Sequence, residues 1–184
     1  PVGCPFCDAG GNYRGKLSVE ELLFQIDFLV RQRYQDKNID CDKFKIQFAR
    51  MGEPAFNENI IILLRLFKER YKFRRFIPSI STVAPAGCEG FFKQLLDLRN
   101  EDYQRDFQLQ FSLHSTDEAS RDYLIPVKKW DLERIAAYGE MFFRPNFQKI
   151  ALNFVLCEDS VIDPLRLKQY FDPSIYIIKV TPVN

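Results

Sequence analysis

Two cysteines close to the start of the chain, in Gly3-Cys4-Pro5-Phe6-Cys7, have the spacing with the most chemical content in this sequence. A Cys-x-x-Cys pair can hold a metal or exchange disulfides. Zinc would call for a second Cys or His pair, yet Cys41, Cys88 and Cys157 are isolated and the single histidine, His114, is far away in sequence. A thioredoxin-like site would open a helix directly after a strand, whereas Gly10-Gly11-Asn12 follows here. Iron and sulfide remain, because thiolates are the ligands that clusters favour.

A second set of reactive types recurs just past each apolar, strand-like run. These residues are Arg50-Met51-Gly52-Glu53-Pro54, then Ser81-Thr82, then Ser112 and His114, then Cys157-Glu158-Asp159, then Thr181-Pro182-Val183-Asn184. Taken singly, a Ser at such a place is a turn or helix-cap residue, Glu53 is a cap for the helix beginning near Asn57, and His114 is a satisfied structural imidazole. Five polar exits in sequence describe something more: a ring able to grip a small ligand that carries amine, carboxylate and hydroxyl groups.

The elements that must place these residues are legible as period-2 runs alternating with longer period-3.6 runs. Ser18-Val19-Glu20-Glu21 is a capping box, and Leu22, Leu23, Ile26 and Val30 form the apolar stripe of the helix behind it. Strands are predicted at 44–48, 77–83, 107–113, 150–156 and 175–180, and helices at 59–71, 90–98, 131–143 and 163–170. Strands separated by helices of this length pair in parallel through right-handed crossovers, which brings every strand-to-helix loop to one end of the sheet. Function belongs at that end, and Cys4 and Cys7 join it if the 3–15 loop follows a strand lost upstream.

Composition excludes several classes. Twenty-six Lys and Arg against 25 Asp and Glu leave a net charge of +1, so no global field gathers polyanions or anionic membranes. The 46% apolar and 28% charged content belongs to a soluble globular protein, and the longest aliphatic run, Ile60 to Leu64, is too short to cross a bilayer. The 184 residues suit one domain, 1–184, large enough to bury a core without disulfides or metal. An odd count of 5 cysteines with no secretory leader implies a reducing, cytoplasmic setting. Pro1 in place of Met, so close to the cysteine pair, suggests a chain cut at both ends. The basic cluster Lys68, Arg70, Lys72, Arg74 and Arg75 is interleaved with Tyr71, Phe73 and Phe76 as an RNA-binding stripe would be. It falls at a helix C-terminus away from the polar exits, where the helix dipole explains it more simply.

Gly3-Cys4-Pro5-Phe6-Cys7 resembles the second half of Cys-x-x-x-Cys-x-aromatic-Cys, the cluster loop of radical S-adenosylmethionine (SAM) enzymes, and Gly52-Glu53-Pro54 resembles their GEP motif. The first cysteine of that triplet would stand immediately before Pro1. The likeness extends toward the adenine carbon-2 RNA methyltransferases through Tyr13-Arg14 with Leu17-Ser18, Met51-Gly52-Glu53-Pro54 with Asn57, Ser79-Ile80-Ser81-Thr82, Phe111-Ser112-Leu113-His114, Arg121-Asp122, Ile125-Pro126-Val127-Lys128-Lys129 and Pro182-Val183-Asn184. It departs at Arg50, at Asp8-Ala9-Gly10-Gly11, and at Asn153, which replaces an acidic residue.

Pattern and resemblance together imply an α/β fold, a partial (β/α)6 TIM-like barrel with a largely parallel sheet of about six strands, five of them inside this chain. The resemblance further implies a 4Fe-4S cluster with Cys4 and Cys7 among its ligands, and SAM as the molecule cleaved to a 5′-deoxyadenosyl radical. For SAM it implies contacts from Phe6 to the adenine, from Gly52 and Glu53 to the amine, from Ser81 and Ser112 to carboxylate or ribose, and from His114 and Asn184 to the nucleoside. A reductant such as flavodoxin or ferredoxin, and RNA as methyl acceptor, would be partners; no membrane is implied. Two other readings share these residues: an activase that places a glycyl radical on a partner protein, and a non-catalytic or RNA-binding scaffold that retains the fold. Cys88 reads as an ordinary thiol, and Cys157 as a thiol facing the site.

Overall fold

The computed structural model describes residues 2–7, 13–34, 37–158 and 160–182. The capping box forms as the sequence predicts: Ser18 Oγ accepts from the Glu21 amide at 3.2 Å and the Glu21 carboxylate accepts from the Ser18 amide at 2.8 Å. From it runs α1 (Val19–Arg31), followed by a short strand β1 (Asn38–Ile39) and then β2 (Phe44–Phe48). A 3-10 turn (Pro54–Phe56) precedes α2 (Asn59–Arg70), β3 (Lys72–Phe73) and β4 (Phe76–Thr82). The chain continues through α3 (Glu89–Glu101), β5 (Gln108–Ser112), α4 (Glu118–Leu124) and α5 (Leu132–Phe142). It closes with β6 (Ile150–Leu156), α6 (Pro164–Tyr170) and β7 (Tyr176–Pro182).

The five long strands pair in the order β2-β4-β5-β6-β7, every neighbour parallel, and β1 pairs with β3 in a separate two-stranded ribbon. The sheet is open: β2 and β7 are its edges, and no barrel closes among the described residues. The α/β class and the parallel sheet agree with expectation, as do all five predicted strands and the four later helices within a few residues. The β1/β3 ribbon, the 3-10 turn and α4 are additions to it.

Alternation along the strands sorts the sheet into two unlike faces. Phe44, Ile46 and Phe48 of β2, Phe76 and Ile80 of β4, Leu109 and Phe111 of β5, and Ile150, Leu152 and Phe154 of β6 point toward the helices and join one large core with Leu63, Leu64, Phe67, Phe92, Leu95 and Ile135. Each fully buried side chain of this size is worth about 1.5–3 kcal/mol. The opposite face carries Lys45, Gln47, Ser79, Ser81, Gln108, Gln110, Ser112, Asn153, Lys179 and Thr181 in register. Ile77, Ala151, Val155 and Ile177 share this face, and a mainly polar face without helices over it is what the inside of a partial barrel presents. Along the free edge of β2 a groove of about 520 Å³ runs against α1, lined by Leu22, Ile26, Leu29, Phe44 and Ile46 among others. No described helix is long and apolar enough to cross a membrane.

Candidate active site at the strand exits

At the β2 exit the backbone turns through Arg50 at φ 72° and Gly52 at φ 117°. Only glycine reaches the second of these without strain. A Cβ built on Gly52 would meet no atom within 4 Å, so conformation demands this glycine and open space lies beside it.

Glu53 follows, with only 8% of its surface exposed. Its Oε1 accepts from the Ala55 amide at 3.0 Å and from the Thr82 hydroxyl, while Oε2 accepts from the Val83 amide at 2.9 Å. Glu53 therefore caps the 3-10 turn at Pro54 and at the same time clamps the exit of β4. Burial pushes its carboxyl above the usual range, against the pull of these three donors. Asn57, the last residue of the same motif, donates to the Leu17 carbonyl at 3.0 Å and ties the loop to the start of α1. Thr82 completes the clamp by accepting from the Ala84 amide at 3.0 Å.

The β5 exit is built around His114, 6% exposed and at φ 60°. Its Nδ1 accepts from the Val155 amide of β6 at 3.1 Å, and its own amide donates to the Asn153 carbonyl at 3.2 Å. Burial, seconded by Arg121, pulls the imidazole down to about 4, so the ring is neutral at pH 7. With Nδ1 an acceptor, the neutral ring carries its proton on Nε2. That donor has no hydrogen-bond partner among the described residues. Ser112 stands in register with Asn153, and Ser81 accepts from Gln110 Nε2 at 2.8 Å while keeping its own proton to donate.

The cysteine loop closes over these exits. Phe6 meets His114 edge to face at a centroid distance of 4.9 Å. Val2, Cys4, Phe6, Val127 and Cys157 pack on Val83, Leu124 and Ile125, a small apolar cluster separate from the main core. The Cys7 amide donates to the Cys4 carbonyl at 3.1 Å, closing a turn that holds the two cysteines together. Burial, then the neighbouring Cys7, pushes the Cys4 thiol up to about 11. Lys129, whose side chain is 4% exposed and which donates to Asp122 and to the Ile125 carbonyl, opposes that shift from nearby.

The structure thus gathers Cys4, Phe6, Glu53 and His114 at one end of the sheet, with Gly52, Ser81 and Ser112 at neighbouring exits and Cys7 in the same turn as Cys4. Asn184 lies outside the described residues. Cys157 joins the cluster as expected, and Cys88 opens α3 as a half-buried thiol. The loops are fastened by residues whose part in the site the sequence leaves unassigned, Arg121 among them although it lies in one of the motif likenesses. Ser115 and Thr116 hold the Val161 carbonyl at 3.1 and 3.0 Å, and Arg121 donates to the Trp130 carbonyl at 2.7 Å. Adjacency to the Ser-Leu-His run was the available signal for the first two.

Cys4 and Cys7 can supply two thiolates to a metal or cluster. Among the described residues no group of three or more His, Cys, Asp or Glu gathers in a metal-binding arrangement. The basic cluster is largely neutralised within the fold: Arg70 pairs with Asp27, Arg74 with Asp40 and Asp42, and Arg75 with Asp106. This leaves little free charge there for a nucleic acid.

No protein-family model matches the chain. No solved structure matches it either. Curated relatives do match. A protein of Petrotoga mobilis named probable dual-specificity RNA methyltransferase RlmN is 24% identical over 189 residues, covering 100% of this chain and 51% of the relative. A Thermotoga protein of the same name is 28% identical over 194 residues, 100% of this chain and 52% of the relative. A Buchnera aphidicola protein named dual-specificity RNA methyltransferase RlmN is 29% identical over 148 residues, 77% of this chain and 38% of the relative. In agreement with the motif resemblance, the chain is related along its whole length to proteins named dual-specificity RNA methyltransferases, and it spans about half the length of those relatives.

Proposed function

We propose that residues 1–184 form the core domain of a radical SAM enzyme of the RNA methyltransferase type. The observation that carries this reading is the packing of the cysteine loop onto the strand exits, with Phe6 against His114 and Cys4 on the cluster of Val83, Leu124 and Ile125. The cysteine loop and the GEP motif share a neighbour in the β4 exit: Cys4 packs on the cluster that contains Val83, and the Val83 amide donates to Glu53, which supports the reading beyond the motif match.

The donor set fits a 4Fe-4S cluster at two positions, Cys4 and Cys7; the third position, before Pro1, is not among the 184 residues. Cys4 and Cys7 would hold part of such a cluster, which with SAM and one electron from a reductant would supply a 5′-deoxyadenosyl radical, the sulfur–C5′ bond breaking and methionine leaving. The work of the chain's own residues is binding and orientation. Phe6 offers a flat apolar face to the adenine, and the His114 Nε2 proton is free for a ribose oxygen. Glu53 accepts three protein hydrogen bonds of about four that a carboxylate can take, which leaves one for the SAM amine, and Gly52 keeps the approach open. Ser81 and Ser112 hold hydroxyls toward carboxylate or ribose. The buried clamp of Glu53, Thr82 and Val83 keeps this end rigid, so the contacts are organised before the ligand arrives.

RNA as the methyl acceptor and a flavodoxin- or ferredoxin-type reductant complete the proposal. The described cysteines are all free, which suits a reducing cytoplasmic compartment. The test is anaerobic turnover of the full-length protein with SAM and dithionite, read by mass spectrometry. Release of 5′-deoxyadenosine that falls sharply in Phe6→Ala supports the reading. A fully reduced, iron-loaded protein that releases none overturns it.

A further inference from the structure

The inner face of the sheet, below the strand exits, holds two ammonium groups that the SAM reading leaves without a task. Lys45 stands on β2 and Lys179 on β7, the two opposite edges of the sheet. In a flat sheet of five strands these edges would be about 19 Å apart, at about 4.8 Å per strand. Here both side chains reach inward over an intervening strand and meet the central one. Lys45 Nζ donates to Gln108 Oε1 at 2.6 Å across β4, and Lys179 Nζ contacts Gln110 Oε1 at 3.4 Å across β6. Gln108 and Gln110 are next neighbours on one face of β5, about 7 Å apart. The two ammonium groups therefore approach the central strand from opposite sides, at neighbouring positions of the same face.

Neither lysine has a carboxylate partner among the described residues, unlike the paired cations of the basic cluster. The polar groups around them on this face are amides and hydroxyls, Gln47, Ser79, Ser81, Ser112, Asn153 and Thr181, set among the apolar Ile77, Ala151 and Ile177. Burial, then the like charges of Lys43 and Lys179, draws the Lys45 amine below its ordinary range. Asn153 extends this neutrality, bonded by the Thr181 hydroxyl at 3.0 Å in register with Lys179.

We propose that Lys45 and Lys179, oriented by Gln108 and Gln110, form an anion site on the inner face that takes a phosphate group of a ligand. A tetrahedral oxyanion accepts from several donors at once, and two ammonium groups flanked by amides and hydroxyls supply them. The site neither requires nor excludes SAM at the strand exits, so the two readings fail separately.

The test uses the protein as it stands, titrated with inorganic phosphate at constant ionic strength and followed by thermal melting and by the side-chain amide resonances of Gln108 and Gln110. Saturable stabilisation with shifts at both glutamines is expected. Lys45→Gln and Lys179→Gln should each weaken binding about tenfold, the loss of one charge-assisted hydrogen bond. Lys179→Arg, which keeps the charge, should retain it, and so should Arg74→Gln on the paired basic cluster. Competition by a nucleoside monophosphate or by a short oligoribonucleotide supports the site and identifies the phosphate's source. Absence of saturable binding in the folded parent protein, or equal binding in a folded Lys45→Gln/Lys179→Gln double variant, overturns it.

Discussion

Replacing the single histidine should remove an identifiable piece of the protein's acid sensitivity. His114 is held neutral with its pKa near 4, against 6.5 for an unperturbed imidazole. The unfolded chain therefore binds the proton more readily than the folded one. Stability attributable to this residue is intact above pH 6.5 and is lost as pH falls through 6.5 toward 4. One proton linked across that gap costs about 2 kcal/mol between pH 7 and pH 5, and about 3 kcal/mol by pH 4. Glu53, pushed upward by burial, works in the opposite sense: its contribution is full at low pH and lost as pH rises. The parent curve alone is thus a sum, and the informative quantity is the difference between parent and His114→Asn. Asparagine tolerates φ 60° better than other side chains and has no titrating group, so the variant should carry a pH-independent cost of about 1–3 kcal/mol for the orphaned Val155 amide and lack the parent's loss below pH 6.5, and the gap between the two curves should narrow as pH falls. Urea unfolding at half-unit steps from pH 7.5 to pH 4 would measure the difference. Parallel curves would refute the reasoning, as would an imidazole proton resonance in the parent that titrates near 6.5.

Glu53→Ala should lower stability by about 2–5 kcal/mol, because it strands the Thr82 hydroxyl and two buried amides, and should also weaken SAM binding in calorimetry of the full-length protein. Glu89→Ala, which removes an exposed pair with Arg134, should change stability by less than about 1 kcal/mol and leave SAM affinity alone; equal effects of the two substitutions would count against the clamp. Gly139→Ala should cost about 1–3 kcal/mol in chemical denaturation, since its Cβ would stand 2.0 Å from Tyr176 Oη, which is itself bonded to the Ala136 carbonyl. An unchanged midpoint would mean that α5 and β7 can move apart freely. Gly52→Ala, by contrast, meets no neighbour and should cost about 1–2 kcal/mol through φ alone; a larger loss would point to a contact there.

Much of the scaffold was legible because it depends on local pattern. The period-2 run from Phe107 to Leu113 placed Leu109 and Phe111 on one face and Gln108, Gln110 and Ser112 on the other, and the fold keeps that division. The Ser18 capping box fixed the start of α1 for the same reason. What stayed hidden depends on distance in sequence. Glu53 finds its partners 29 and 30 residues later, and nothing in its own neighbourhood signals Thr82 or Val83. The meeting of Lys45 and Lys179 with Gln108 and Gln110 follows from the strand order β2-β4-β5-β6-β7, which no single strand's pattern encodes. The β1/β3 ribbon, two residues per strand, is too short to carry any period. The seven residues of α4 give barely two turns, so their motif likeness at Arg121-Asp122 was visible and their helix was not.

The organisation of charge separates the two ends of the molecule. Toward the N-terminal ends of the strands the arginines are matched by aspartates, which stabilises loops and leaves little net field. At the other end, buried Glu53 and neutral His114 shape a site with few free charges, suited to a ligand that brings its own amine and carboxylate. Low-temperature electron paramagnetic resonance of the full-length protein, reconstituted and reduced without oxygen, tests the central proposal most directly when recorded with and without SAM. A 4Fe-4S spectrum that shifts on adding SAM is the predicted result. A protein shown to carry three cysteines in the loop, yet giving no cluster signal or one indifferent to SAM, would contradict it.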